Sequence, residues 1–232
     1  MRGALKQALA VLFAGLFLLL CPLQTAAVPQ VVYRYASGDG GKRVALTFDD
    51  GPHPRYTPQI LDILKEYGVR ATFFSVGSNA ENYPHLIRRI CEEGHELGNH
   101  THNHFHVAKL SREQLCADIE SCQEVLGRLG QREITLFRPP EGVCTKDLKN
   151  YCEQNGMTIV LWSIDTRDWA HTPIEEICEN VRKNAKDGAI ILMHDFIGKK
   201  SPTPAALRRI LPMLQELDYE FVTVSELLGE AE

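Results

Sequence analysis

The 232-residue chain has no CxxC pair, no GxGxxG or GxxxxGK[ST] phosphate loop and no GxSxG elbow. The first absence removes the spacing signal of a zinc ribbon or a thioredoxin-like redox pair. The second removes that of a nucleotide-binding α/β fold, and the third that of an α/β-hydrolase serine esterase. A cysteine-nucleophile signature is missing too. Aromatic residues make up only 8%, and no Lys/Arg run or aromatic-plus-basic pattern offsets the net charge of −5, which argues against a nucleic-acid partner. No repeat, low-complexity tract or second domain is evident. What is present, at 44% hydrophobic and 24% charged, is the make-up of one globular domain with a full core.

The first 27 residues stand apart. Arg2 and Lys6 precede the 13-residue apolar run ALAVLFAGLFLLL, and a small-residue tail leads to Ala27. That order is a secretory signal with cleavage after Ala27, or an uncleaved N-terminal anchor, though the run is short for a membrane span. The expected product is secreted or held at the cell surface, with membrane contact only through that segment. Residues 28–42 read as a leader and residues 229–232 as a tail. Beyond the segment lie Cys91, Cys116, Cys122, Cys144, Cys152 and Cys178. Cys91, Cys122 and Cys178 fall on apolar helical stripes, where a thiol acts as a small hydrophobe. Cys144 and Cys152 form the pair least explained that way.

From residue 43 short apolar runs alternate with amphipathic segments. VALTF, ATFFSV, HELGN, ITLF, TIVLWS, AIILMH and YEFVTV are the runs. The segments between them start with Thr57-Pro58 or with capping boxes at Ser78, Ser111 and Thr172, and stop at glycines. Continuous apolar strands separated by helices mean a parallel sheet buried on both faces. Seven such units predict an α/β barrel short of the full eight, with its chemistry at the C-terminal strand ends. A doubly wound open sheet is the structural alternative.

Reactive residues do cluster just after the predicted strands: Asp49 and Asp50, His100 and His104, Arg138, Asp165 and Asp168, and His194. One carboxylate with two imidazoles leaves open positions on a metal, the usual design of a hydrolytic centre. Asp50, His100 and His104 supply it. Asp49 is then free as general base and His194 as general acid. Arg138 can hold Asp49, and an aspartate of the fifth strand end can tune His194. Alone, Asp-Asp-Gly-Pro is ordinarily a turn, H-x3-H a solvated pair and Arg-Pro-Pro a stiff loop. Their order, each at a strand end, is what carries the functional reading. His102 and His106 are expected to point outward or pack beside the ligands.

TFDDGP, HTHNH, RPPEG, DTRDW and LMH, in this order, resemble the five motifs of the polysaccharide deacetylases with a NodB homology domain, carbohydrate esterase family 4. The resemblance covers residues 43–228 and is nearest to the peptidoglycan N-acetylglucosamine deacetylases. It implies a distorted (β/α) barrel of about seven parallel strands. It also implies a divalent metal, usually Zn2+, with Co2+, Ni2+ or Mn2+ as substitutes. Carried over by motif, Asp50, His100 and His104 are the ligands, Asp49 the base, His194 the acid, Arg138 the residue that orients the base, and Asp165 the partner of His194. Trp169 and Leu192 match the wall of an acetyl-methyl pocket, with Pro140 and Glu141 also lining the substrate groove. Glu141 departs from the aromatic or small residue usual there. Its backbone N–H still serves an oxyanion, while its side chain bears on preference, toward a cationic or zwitterionic glycan.

The expected activity is hydrolysis of N-acetyl groups on peptidoglycan N-acetylglucosamine by a monomer, releasing acetate. Chitin oligomers, acetylated xylan, small amides and a non-catalytic glycan-binding role on the same scaffold are the alternatives.

Overall fold

The computed structural model describes residues 31–229, apart from 37, 39 and 199; the predicted signal segment and residues 230–232 of the predicted tail lie outside them. Nine strands form one sheet among these residues, every pairing parallel. They are β1 (Val31–Val32), β2 (Arg43–Asp49), β3 (Thr72–Ser75), β4 (Glu96–Asn99), β5 (Leu136–Phe137), β6 (Thr158–Val160), β7 (Ile164–Asp165), β8 (Ala189–His194) and β9 (Glu220–Val222). The order is β1-β6-β5-β4-β3-β2-β8-β7, and β9 takes the start of β2 on the edge whose end pairs with β3. The sheet curls into a (β/α) half-barrel with helices outside, the distorted barrel that the motifs imply. Two short strands escape the apolar-run reading. β1 lies in the expected leader and pairs with β6, and β7 ends on Asp165, the first residue of DTRDW.

Strand alternation decides what faces the inside of the curl. On β2, Val44, Leu46 and Phe48 pack outward with the helices, while Ala45 packs inward beside Phe74 and Ile190. Thr47 and Asp49 share the parity of Ala45. On β8, Ala189, Ile191 and Met193 face the helices, so Leu192 and His194 point inward with Ile190. The registers Thr47↔Leu192 and Asp49↔His194 set these inward side chains level.

The helices are less regular at their starts than the sequence suggests. Ser111 and Gln114 close the expected capping box on Arg112–Gly130, and Thr223 with Glu226 closes one on the short final helix Val224–Leu228. Thr57 is not a cap: Arg55 is, and the Thr57 hydroxyl instead donates to the buried Asp195 at 2.5 Å. The helices Gly77–Asn82 and Ile174–Asn184 start without a side-chain cap, so neither Ser78 nor Thr172 serves as predicted. The six cysteines among the described residues are free thiols, with Cys122, Cys152 and Cys178 buried.

The final helix plugs the inside of the curl. Val224, Leu227 and Leu228 join Val32, Ala45 and Val222 there, and the Glu96 carboxylate accepts the helix's first N–H groups, from Val224 and Ser225. Leu227→Ala removes an almost fully buried side chain from this plug. The unfolding free energy, read by chemical denaturation, should fall by about 2–5 kcal/mol, with activity at 25 °C retained in the folded fraction.

Candidate active site

A cleft of about 510 Å³ opens where β2 and β8 end. Asp49, Asp50, His100, His104, Glu141, Trp162, Asp165, Trp169, Leu192 and His194 line it. The chain delivers these side chains through abrupt turns after the strands. Asp50, Thr101 and His104 all have positive φ, at 76°, 64° and 55°. For the two potential ligands this is tolerable, since Asp and His enter the left-handed region more readily than most residues. Local hydrogen bonds hold the bends: Asn99 Oδ1 accepts the Thr101 N–H, Thr101 Oγ1 accepts the His104 N–H, and Asn79 donates to the Asp50 carbonyl. His100 and His104 therefore converge on one side, while His102 turns toward Glu81 and His106 toward Glu141.

Asp50 Oδ1 stands 3.3 Å from His100 Nε2 and 3.0 Å from His104 Nε2. His100 Nδ1 lies 2.7 Å from the Arg138 carbonyl, an acceptor, so that nitrogen carries the proton. Neutral His100 then points an Nε2 lone pair at a carboxylate oxygen. Two acceptors facing each other at that range call for a cation between them. The donor set of one carboxylate and two imidazoles suits a divalent ion, and the three candidate ligand atoms lie within 4.8 Å of one another. Burial alone would raise the Asp50 carboxyl. The adjacent imidazoles of His100 and His104 outweigh it and hold the group far below the usual carboxylate range, ready as a ligand.

Beside this set, Asp49 is 3% exposed, and its Oδ1 accepts from Arg138 Nη1 at 2.7 Å. Its Oδ2 lies 3.8 Å from His100 Nε2, on the ligand side. Arg138 is fully buried. Its other N–H groups donate to Thr47 Oγ1 and to the Val160 and Leu161 carbonyls, and its guanidinium lies 4.0 Å over the Phe74 ring. Pro140 is buried beneath the turn that carries Glu141 at φ 57°. The Glu141 carboxylate lies 3.6 Å from His106.

On the far side, the partner of His194 is Asp168, which corrects the expectation of Asp165. His194 Nδ1 meets Asp168 Oδ1 at 2.7 Å, and Asp168 Oδ2 accepts the His194 N–H and the Thr203 hydroxyl. The reason is register. Asp165 pairs with Leu192, two residues short of His194, so its carboxylate instead accepts the Arg167 N–H and lies 3.4 Å from the Trp169 indole nitrogen. Arg167, at φ 57°, turns the chain back and brings Asp168 level with His194. Trp162 is a pocket residue that sequence reasoning missed, because it reads there as part of an apolar run. Burial opposes charge on His194, but the Asp168 hydrogen bond and charge, with Asp49 and Asp50 behind them, push its pKa up to about 9.

A curled parallel barrel with this donor set, one buried carboxylate and one carboxylate-held imidazole at its strand ends defines a metal-dependent hydrolase. The family model described as polysaccharide deacetylase matches residues 36–160, and the chain belongs to that family. It is 46% identical over 189 residues to a peptidoglycan-N-acetylglucosamine deacetylase of Bacillus cereus, covering 81% of this chain and 88% of that protein. Among solved structures, a peptidoglycan N-acetylglucosamine deacetylase in complex with an N-hydroxybenzamide derivative superposes with a TM-score of 0.84. It is 35% identical and covers 87% of this chain and 94% of its own. A pseudoenzyme of the same esterase family from Bacillus anthracis superposes at 0.79 with 27% identity, covering 87% of this chain and 69% of its own.

His194 is protonated below about pH 9 and loses its proton as the pH rises through that value. Asp168→Asn removes the charge that holds the proton. The alkaline limb of kcat/KM should then move to lower pH by about one to two units, toward the ordinary histidine range, in a pH–rate profile.

Proposed function

We propose that this protein is an exported deacetylase that hydrolyses the N-acetyl group of N-acetylglucosamine units in peptidoglycan, releasing acetate. The observation that carries it is the single cleft in which an Arg138-held Asp49 and an Asp168-held His194 flank Asp50, His100 and His104. Family membership and the named activities of the relatives support the substrate class. The N-terminal residues 1–27 support export, and the 43–228 span supports one catalytic domain. Among the described residues no helix is long and apolar enough to cross a membrane.

Asp50, His100 and His104 would hold the divalent ion, for which zinc is the first choice by donor set. Polarisation of the acetamide carbonyl and acidification of a water are the chemistry such an ion supplies when bound. Asp49 Oδ2 takes the proton of the attacking water, while Arg138 fixes the carboxylate by its other oxygen. The backbone N–H of Glu141 offers a hydrogen bond to the developing oxyanion. His194, with Nδ1–H engaged by Asp168, directs its Nε2–H to the departing nitrogen, which leaves as an amine. Leu192 and Trp169 wall the acetyl methyl. A binding role without turnover is disfavoured by the intact set of ligands, base and acid.

Acetate release from peptidoglycan and from N-acetylglucosamine oligomers tests the reading. Chelator should abolish release and added zinc restore it. Asp49→Asn should lower kcat by about 10²–10⁴-fold while metal analysis still finds about one ion per chain. Full activity in that variant, or release that ignores chelator, would overturn the assignment.

A further inference from the structure

Among the described residues four aromatic side chains are strongly exposed: Tyr33, Phe105, Trp169 and Phe196. Three of these adjoin the site in sequence. Phe105 follows His104, Trp169 follows Asp168, and Phe196 lies two residues past His194. Phe105 is not stacked on another ring, and Trp169 already belongs to the pocket wall. Phe196 has a different setting, to which the reaction chemistry assigns no role.

One face of Phe196 stacks on His53 at a centroid distance of 4.8 Å and an interplanar angle of 21°. His53 also stacks on Tyr56, at 5.1 Å and 23°. Tyr56 is 5% exposed, and its hydroxyl accepts the Ser201 N–H. His53 is fixed as well, since its Nδ1 accepts the N–H groups of Arg55 and Tyr56. The ring contacts thus run from the buried Tyr56 through His53 to Phe196, which is 38% exposed.

These rings stand on the rim that carries the chemistry. β2 and β8 run in register to Asp49↔His194, and the two segments that leave them stay together. A Cβ on Gly51 would lie 2.0 Å from Asp195 Oδ2, so only glycine admits this approach. Thr57 Oγ1 then binds the same carboxylate. Phe196 is therefore held two residues beyond His194 with its orientation set in advance by His53, which spares a ligand the cost of ordering it.

We propose that Phe196 is a sugar-stacking platform that reads glycan chain length. Its open face takes the apolar C–H face of the pyranose next to the unit whose acetamide enters the cleft. The electron-rich face of an aromatic ring attracts polarised C–H groups, and a glycan unit needs no charged partner there. A protein partner would require a far larger apolar patch than one ring. The inference rests on the proposed activity toward N-acetylglucosamine glycans, and its test is separable from that reading.

Binding is measured by calorimetry in an Asp49→Asn background loaded with zinc, so that turnover plays no part. Hexameric N-acetylglucosamine should bind about tenfold more weakly when Phe196→Ala is added, and the monosaccharide should be unaffected. Phe196→Leu, which keeps bulk against His53 but loses the flat ring, should behave like Phe196→Ala. Phe196→Tyr should restore binding. In the otherwise native enzyme the loss should fall on KM for the hexamer, with kcat kept. Equal losses for monosaccharide and hexamer, full binding in Phe196→Leu, or no loss at all would overturn the platform. Failure of the native enzyme to release acetate, with hexamer binding still dependent on the ring, would overturn the activity and not the platform.

Discussion

The buried ion pair between Arg138 and Asp49 ties the site to the barrel. A guanidinium with no exposure is tolerable only if its N–H groups and its charge are all answered. Here Asp49 and Thr47 of β2 answer from one side and the Val160 and Leu161 carbonyls from the other, with the Phe74 ring beneath. Gly98 makes the room: a Cβ there would lie 2.3 Å from the Phe74 ring. Removing one partner of such a pair typically costs about 3–5 kcal/mol, because the other charge stays buried and unpaired. The same residue fixes His100, since the Arg138 carbonyl takes the Nδ1 proton and leaves Nε2 as the ligand atom. Base and ligand are thereby oriented by one arginine, through its side chain and its backbone.

Most of this site was legible because each reactive residue closes a strand. A run such as VALTFDD shows both the strand and its polar end, and parity alone places Asp49 inward with Ala45 and Thr47. What was not legible depends on the register between strands. Whether Asp165 or Asp168 serves His194 turns on the pairing of Asp165 with Leu192 and on the left-handed Arg167 that follows. A two-residue strand carries no periodicity from which to read that register. β1 escaped for the same reason, and Thr57, which lies in the first turn of its helix rather than before it, because its hydroxyl finds a carboxylate 138 residues away.

The bends that deliver the ligands run against ordinary backbone preference. Asp50, Thr101, His104, Glu141 and Arg167 all sit at positive φ without being glycine. Such residues persist only where surrounding contacts over-determine them, at a cost of order 1–3 kcal/mol each. The contacts are visible: Asn99 and Thr101 brace the histidine turn and Asn79 the aspartate turn. Asn99 does this from the last position of β4, where its amide also donates to the Ile119 carbonyl of a packed helix. The strain is thus anchored in the core rather than in the loop itself.

The two ion pairs also explain how the proposed reaction keeps its charges in order. Arg138 balances Asp49 and Asp168 balances His194, so the surplus carboxylate at the ligand cluster is Asp50. In one cycle Asp49 gains a proton and His194 gives one up, which leaves the summed charge of the cleft unchanged. Resetting the site means returning one proton from the first to the second. These residues are register partners on adjacent strands and face the same side of the sheet. Each does so while still held by its own partner, Asp49 by Arg138 and His194 by Asp168.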